Sequence, residues 1–311
     1  MAKKSFNEYL KVGIVQPIVN EQTAWVDTPL AGMHLKMNSV DAHFINDQIS
    51  SAVNAFIGMK ESERPDIIIL PELCAADESF LENLAKKSNA IIIAGRDFMV
   101  SGNGVKNMAE VFIPSKWDNP DIPSTFCQKF FFGKKFFSYP EKALFEKYQL
   151  EGISSPEIYI LNARQFGRIG FAICADFFDI LRFRIYKRFV HHLFILALNK
   201  DTETFEHMAE TISRMVFCNV VVCNTGHYGG SLAFSPYKEA YRRYIYLHRG
   251  GELFTSQVVS LPVSSLDDFQ QNSESIPAKD RLFKSVPPGY KYPDYKEKAE
   301  PIQEELPLEL E

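Results

Sequence analysis

RIGFAICADFFD, residues 168–179, is the stretch of sequence from which the fold can be predicted most directly. Its residues Ile169, Phe171 and Ile173 alternate with small or apolar residues, a pattern typical of a strand buried on both faces. The predicted strand ends at Cys174. In layered α/β folds the ends of strands hold reacting side chains, because the sheet is rigid and the strand end borders a cleft. Cys174 is therefore a candidate nucleophile, although most buried cysteines only fill space in the core.

Further short apolar segments alternate with helical patterns along the chain. The other predicted strands comprise residues 12–16, 67–70, 90–95, 107–114, 157–161, 193–199 and 220–224. The predicted helices comprise residues 40–59, 78–88, 142–150, 179–190 and 203–218. The alternation of strands and helices predicts an α/β fold.

Composition divides the chain of 311 residues into two parts. Residues 1–262 contain all the predicted strands and are long enough for one α/β domain. From residue 263 onwards polar residues, proline and glutamate dominate, and the chain ends in EKAEPIQEELPLELE. Such a segment has too few apolar side chains to fold alone. We therefore expect a domain at residues 1–262 and a polar tail at residues 263–311.

Charge and cysteine content restrict the location and the partners of the protein. The net charge is −5, which argues against a nucleic-acid-binding surface as the main function. Five cysteines without a CxxC pair fit a reducing compartment better than disulfides or a structural zinc site. No run of about 18 apolar residues occurs, and the amino terminus lacks the apolar stretch of a secretory signal. We expect a cytoplasmic protein without a membrane span.

Two other strand ends carry charged residues. Glu72 follows the strand at residues 67–70, where it is either a solvated loop carboxylate or a group of an active site. The aromatic strand in TFCQKFFFGKKFFSYPE carries Lys129, Lys134 and Lys135. Because side chains alternate between the two faces of a strand, Lys134 cannot share a face with Lys129 or Lys135.

The three strand ends together resemble the motifs of one protein family. They read ILPEL around Glu72, FFFGKKFFSYPE around the lysines and GFAICADFF around Cys174. In this order the sequence is similar to the nitrilase superfamily of carbon–nitrogen hydrolases, from about residue 10 to residue 262. The resemblance implies a four-layer αββα sandwich with a Glu-Lys-Cys triad.

The resemblance also implies a role for each residue of the site. Glu72 would be the general base that takes the thiol proton and the acid that later protonates the leaving amine. Cys174 would be the nucleophile that forms a thioester or thioimidate. Lys134 and the backbone N–H of Ala175 would donate to the oxyanion. Glu141 would position substrate or water, and neither a metal ion nor a cofactor is expected.

The sequence leaves two alternatives open at this site. Lys134 fits the family's lysine best, because Glu141 follows seven residues later, as in many members. Lys129 is the alternative if the aromatic strand ends earlier and a longer loop follows. His227, on the glycine-rich turn TGHYGGS, is an alternative base for Cys174.

The function implied by the resemblance is hydrolysis of a carbon–nitrogen bond, other than a peptide bond, in a small molecule. Amides and carbamoyl amines are favoured over nitriles, because true nitrilases are the less common members. Ala175 stands where many amidases carry an aromatic residue, so it does not identify the substrate. The alternative is a non-catalytic or specialised module of the same fold that binds a small molecule or a protein within a larger defence or signalling system.

Family members commonly form homodimers through the helices that follow the nucleophile. In this chain that region is residues 178–190, where Phe178, Leu181, Phe183 and Tyr186 are interspersed with basic residues. Such a mixture of apolar and charged side chains is typical of a protein interface. We therefore expect a homodimer or a higher homo-oligomer.

Overall fold

The computed structural model describes residues 6–25, 35–74, 77–119 and 122–292. The strands are β1 (Tyr9–Gln16), β2 (Ile67–Ile69), β3 (Ile91–Gly95), β4 (Met99–Ser101), β5 (Gly104–Lys106), β6 (Met108–Pro114), β7 (Cys127–Gly133), β8 (Glu151–Gly152), β9 (Ile160–Asn162), β10 (Arg168–Ile173), β11 (His192–Leu196), β12 (Asn219–Cys223), β13 (Leu232–Phe234), β14 (Tyr244–Leu247) and β15 (Thr255–Pro262). The α-helices are α1 (Glu21–Ala24), α2 (Ser39–Ile57), α3 (Glu78–Ser88), α4 (Tyr139–Lys147), α5 (Ile180–Tyr186), α6 (Thr202–Ile212), α7 (Ala240–Arg243) and α8 (Ser264–Asn272).

Twelve of the strands form two six-stranded sheets. Sheet 1 has the order β15-β1-β2-β3-β6-β7, and sheet 2 has the order β14-β13-β12-β11-β10-β9. In each sheet three central strands are parallel, and the outer strands pair antiparallel. Since β6 is antiparallel to both β3 and β7, β7 runs in the same direction as β2. The ends of β2 and β7 therefore lie at the same edge of sheet 1.

The two sheets pack face to face between two layers of helices. The core between the sheets includes Ile69 of β2, Phe171 of β10 and Val221 of β12. A second core lies between the outer face of sheet 1 and helices α2 and α3. Helices α5 and α6 cover sheet 2, with Phe183 and Phe205 buried. The four-layer αββα sandwich implied by the sequence is confirmed.

The isoleucine-rich strands β2 and β3 explain why sheet 1 is buried on both faces. Residues 67–69 and 91–93 are all isoleucines, and all are fully buried. Ile67 and Ile69 face sheet 2, whereas Ile68 faces the helices. Branched side chains of this kind favour the extended backbone and pack well on a pleated surface.

The helices pack through one apolar face. The longest, α2, buries Ile45, Ile49, Val53 and Phe56, which are spaced three or four residues apart. Its first turn is capped by Asn38, whose side chain accepts a hydrogen bond from the Asp41 N–H. Within the residue ranges that the structure describes, no helix is both long and apolar enough to cross a membrane.

The described part of the predicted tail, residues 263–292, folds against the domain. Helix α8 buries Leu266 and Phe269, and these side chains pack with Phe217, Tyr237 and Phe283. The polar composition after residue 262 hid these few apolar positions, which suffice because the domain supplies the rest of the core. This part of the predicted tail therefore packs on the domain, and residues 293–311 lie outside the described part.

Candidate active site

The sandwich brings the ends of three strands together. Glu72 follows β2, Lys134 directly follows β7 and Cys174 directly follows β10. The Lys134 Nζ lies 2.7 Å from the Glu72 Oε1. Both charges act on the Cys174 thiol, whose Sγ lies 4.0 Å from the Leu198 carbonyl oxygen. Glu72, Lys134 and Cys174 are at most 6% exposed, so they form a closed polar group inside an apolar core.

The alternation of β7 places Lys134, and not Lys129, beside Glu72. Phe132 lies on the same face as Lys134 and stacks on Phe171 of sheet 2, with ring centroids 4.7 Å apart. Lys129 lies on the opposite face. Its Nζ pairs with the exposed Glu78 at 2.6 Å and with Glu82 at 3.1 Å.

Glu141 contacts the same ammonium from the first turn of α4. Its Oε2 accepts hydrogen bonds from the Lys134 Nζ at 2.6 Å and from the Ser138 N–H at 2.8 Å. The Ser138 side chain in turn caps the helix, so the two residues form a capping box. The sequence SYPE fixes this turn, because Pro140 also favours the start of a helix. One carboxylate thus caps the helix and neutralises the lysine.

Asn107 is a residue of the site that the sequence did not reveal. Its Nδ2 donates to the Glu72 Oε1 and to the Glu141 Oε1, both at 2.8 Å. Its backbone oxygen accepts a hydrogen bond from the Lys134 N–H at 2.9 Å. Asn107 is only 1% exposed. The one sequence signal that could have indicated it is an asparagine directly before an apolar strand, a position at which burial of the polar amide would need hydrogen-bond partners.

The charges of the site give its two carboxylates different pKa shifts. Burial, together with the charge of Glu141, raises the pKa of Glu72 against the opposing charge of Lys134. Burial would also raise the pKa of Glu141, but Lys134 and several hydrogen bonds hold it below its usual value. Burial disfavours the charged form of Lys134, yet the carboxylates outweigh it and raise the pKa of the ammonium. The shifts thus favour the ionised form of Glu141 beside Lys134, and they favour the protonated form more at Glu72 than at Glu141.

The Cys174 thiol is protonated in this environment. Burial raises its pKa, and the charge of Glu72 raises it further, whereas Lys134 lowers it. A nucleophilic sulfur here would need a base to remove its proton during attack. Glu72 is the carboxylate that acts on this thiol together with Lys134, and its Oε2 accepts a hydrogen bond from the Leu198 N–H at 3.0 Å.

The backbone is constrained at Cys174, after β10, and at Glu72, after β2. Cys174 has a φ of 44°, in the left-handed region, and begins the short turn that contains Ala175, which is partly buried. Behind Glu72, a Cβ on Gly95 would lie 2.5 Å from the Glu72 Cα. Only glycine allows the end of β3 to approach Glu72 this closely.

His227 has a different partner. Its Nδ1 lies 2.5 Å from the Glu252 Oε1, and its side chain is 14% exposed. The hydrogen bonds and ion pairs of Cys174 and Glu72 within the described residues do not include His227. The same part of the chain contains no group of three or more His, Cys, Asp and Glu side chains arranged to hold a metal ion.

Comparison with solved structures shows which fold this is. XC1258 from Xanthomonas campestris, a CN-hydrolase superfamily protein with an arsenic adduct in its active site, has a TM-score of 0.59 and 13% identity; the match covers 84% of this chain and 94% of XC1258. Nit3 of Saccharomyces cerevisiae, from branch 10 of the nitrilase superfamily, has a TM-score of 0.58 and 14% identity; the match covers 90% of this chain and 99% of Nit3. An amidase from Nesterenkonia sp. has a TM-score of 0.55 and 13% identity; the match covers 88% of this chain and 98% of the amidase. No protein-family model and no curated protein matches the sequence. The chain has the fold of the nitrilase superfamily.

Proposed function

We propose that this protein hydrolyses a non-peptide carbon–nitrogen bond of a small molecule through a thioester on Cys174. The observation that carries the proposal is the convergence of a buried thiol, a carboxyl group with a raised pKa and a lysine at the ends of three strands. Amides and carbamoyl amines are the proposed substrates ahead of nitriles. A double mutant of the amidase from Nesterenkonia sp. is known in complex with acrylamide, and a single mutant shows Michael addition of acrylamide at the active-site cysteine.

In the first half of the reaction Glu72 acts as base and then as acid. It takes the thiol proton while the Cys174 sulfur attacks the substrate carbonyl carbon. The ammonium of Lys134 has three N–H donors, and among the described residues Glu72 and Glu141 take two of them, which leaves one for the oxyanion. The backbone N–H of Ala175 supplies a second donor. Glu72 then gives its proton to the amine as the carbon–nitrogen bond breaks, which leaves the thioester.

In the second half of the reaction water replaces the amine. Glu72 takes a proton from the water while the water oxygen attacks the thioester carbon. The Lys134 ammonium and the Ala175 N–H again donate to the oxyanion. The carbon–sulfur bond breaks, the sulfur takes the proton back, and the carboxylic acid leaves. Glu141 keeps Lys134 charged throughout, because its own pKa is held low.

The test compares wild type with Cys174→Ala, Lys134→Met and Lys129→Met on a panel of small amides, carbamoyl amines and nitriles. We expect Cys174→Ala to abolish release of the amine and to fold, because the truncation costs only about 1 kcal/mol or somewhat more. Lys134→Met should lose about a hundred-fold or more in turnover. Lys129→Met is the matched control, because its partners Glu78 and Glu82 lie on the outer face.

Two results would contradict the proposal. Wild-type turnover by Cys174→Ala would exclude the thioester. Equal losses in the two lysine variants would remove Lys134 from its assigned role. Intact mass after an acid quench should in addition show the acyl group on wild type only. A chain that forms no acyl adduct with any compound of the panel would favour the binding module of the same fold.

The proposed assembly is a homodimer in the cytoplasm. Phe178, Ile180 and Leu181 are between 50% and 76% exposed and lie in the layer of helices after the nucleophile. A patch of exposed apolar side chains at this place supports a contact between two copies. All five cysteines are free, which fits the reducing conditions of the cytoplasm.

A further inference from the structure

We propose that Asp176 is a positioning residue. Its carboxylate links the turn that contains Lys134 with the turn that contains Cys174. The proposal rests on the proposed function for the roles of Lys134 and Cys174. It adds Asp176 to these two residues. Unlike them, Asp176 touches neither the substrate nor the reacting atoms. Asp176 lies two residues after Cys174 and is fully buried.

The geometry of Asp176 joins the two sheets. Its Oδ1 accepts a hydrogen bond from the Phe136 N–H at 2.9 Å, and its Oδ2 accepts one from the Lys135 N–H at 3.0 Å. Phe136 and Lys135 directly follow Lys134 at the end of sheet 1, whereas Asp176 belongs to the turn at the end of β10 in sheet 2. One carboxylate therefore holds two consecutive N–H groups across the interface between the sheets.

Arg182 balances the charge of Asp176 and extends the connection. Its Nη2 lies 3.0 Å from the Asp176 Oδ2, and its Nη1 donates to the Phe171 carbonyl oxygen at 3.2 Å. Arg182 is 2% exposed, so each charge needs the other as its partner. A second link between the same two turns is the ion pair of Lys135 with Asp179, at 3.2 Å.

These contacts determine how Lys134 approaches the nucleophile. Within the described residues, the backbone hydrogen bonds of Lys134 itself are with Asn107 and Ser155, neither of which belongs to sheet 2. Glu72 has its own cross-sheet contact, through the Leu198 N–H. The corresponding fixed point for the lysine is Asp176. Without it, the turn that contains Lys134 could shift relative to Cys174, and the ammonium would then lie less favourably for stabilising the thiolate.

The test measures alkylation of Cys174 by iodoacetamide, with peptide mass mapping to separate it from the other cysteines. It needs no substrate. Because Lys134 lowers the pKa of Cys174, loss of its charge should slow alkylation, and a tenfold smaller thiolate fraction corresponds to one pKa unit. The four proteins are wild type, Lys134→Met, Asp176→Asn and the double variant. Asp267→Asn is the matched control, because Asp267 is a buried carboxylate paired with His191 and contacts none of these residues.

We expect Asp176→Asn to slow alkylation about tenfold, and to have no further effect in the Lys134→Met background. Asp267→Asn should lower the thermal midpoint and leave the alkylation rate unchanged. If Asp176→Asn does not fold, Arg182→Lys is the second variant. It keeps the positive charge and should slow alkylation by a smaller factor, again only when Lys134 is present.

The outcomes separate this inference from the proposed function. A wild-type rate in Asp176→Asn, or the same slowing with and without Lys134, would overturn the positioning role alone. A wild-type rate in Lys134→Met would show that the lysine does not act on Cys174. That result would count against the proposed function, and against the role of Asp176 with it.

Discussion

Asn107 is a neutral side chain that holds two carboxylates at once. Its Nδ2 donates to Glu72 and to Glu141, and the Lys134 ammonium donates to both as well. Two carboxylates this close cannot have equal pKa values, because the charge of one raises the pKa of the other. The shifts go in opposite directions, because burial and the charge of Glu141 raise the pKa of Glu72, whereas Lys134 and hydrogen bonds hold the pKa of Glu141 below its usual value.

The prediction for Asn107→Leu follows from these hydrogen bonds. The substitution removes a donor from ionised Glu72, so the pKa of Glu72 should rise further. Since Glu72 must be ionised to accept the thiol proton, the acidic limb of the pH profile of acylation should move to higher pH. Turnover near pH 7 should fall about tenfold or more, because hydrogen bonds to charged groups contribute about 1.5–3 kcal/mol.

Asn219→Leu is the control for this experiment. Asn219 is also a buried asparagine, and its Nδ2 donates to the Pro262 carbonyl oxygen at 2.9 Å, in a different part of the sandwich. Its loss should reduce stability and leave the acidic limb in place. An unchanged limb in Asn107→Leu would show that Asn107 does not influence Glu72.

The residues that sequence reasoning could place differ from those that it missed. Glu72 and Cys174 each follow an apolar strand, and the alternation of β7 separates Lys134 from Lys129. Those are local patterns. Asn107 and Asp176 act through hydrogen bonds to residues between 34 and 41 positions away, which no local pattern predicts.

At the scale of elements, α5 has apolar side chains on two faces. Phe183 and Tyr186 point into the core, and the Tyr186 O–H donates to the Phe171 carbonyl oxygen at 2.9 Å. Ile180 is 76% exposed and Leu181 is 56% exposed. A helix that covers only one sheet needs a single apolar face, so a second one is consistent with a contact to another copy.

Leu181→Glu should convert the proposed homodimer into a monomer. A charge buried against the partner would cost more than the interface gains from one leucine. Sedimentation equilibrium at micromolar concentration should show twice the mass of 35.5 kDa for wild type and 35.5 kDa for the variant. Tyr241→Glu is the control, because Tyr241 is 83% exposed and lies in α7. A wild-type protein that sediments as a monomer would contradict the prediction.

The boundaries of elements were harder to predict than their order. Helix α4 begins at Tyr139 and not near residue 142, because the capping box around Ser138 and Pro140 starts it earlier. Helix α8 was missed, because only Leu266 and Phe269 interrupt a polar segment. Averages over a window hide single anchoring residues, whereas a packed domain needs only a few of them.

At the scale of the whole molecule, two adjacent histidines, His191 and His192, are buried where β11 begins in sheet 2. The His192 Nε2 lies 3.0 Å from the Phe166 carbonyl oxygen, and its Nδ1 lies 3.1 Å from the Asn219 Nδ2. This geometry suits a neutral ring that donates from Nε2 and accepts at Nδ1. Burial lowers the pKa of His192 to about 3, with a further contribution from His191. Between pH 6.5 and about pH 3, His192 should therefore bind a proton in the unfolded chain but not in the folded protein.

The last prediction concerns the stability of the protein in acid. Since the unfolded pKa of histidine is about 6.5, the contribution of His192 is complete above that pH and is lost as the pH falls towards 3. At pH 5 the loss should be about 2 kcal/mol. Asp66 acts in the opposite direction, because burial raises its pKa to about 6 and folding then gains stability as the pH falls from 6 towards 4. The wild-type pH dependence alone therefore mixes two effects of opposite sign.

A comparison of variants isolates the histidine, because the effect of Asp66 cancels in the difference. His192→Gln cannot titrate, so it should be less stable than wild type at pH 7.5 and should lose about 2 kcal/mol less on going to pH 5. Urea unfolding at the two pH values measures both quantities. His207→Gln, at a side chain that is 71% exposed, should follow wild type. Parallel losses in wild type and His192→Gln would mean that His192 takes up its proton in the folded state, and the acid sensitivity would then have to arise from other groups.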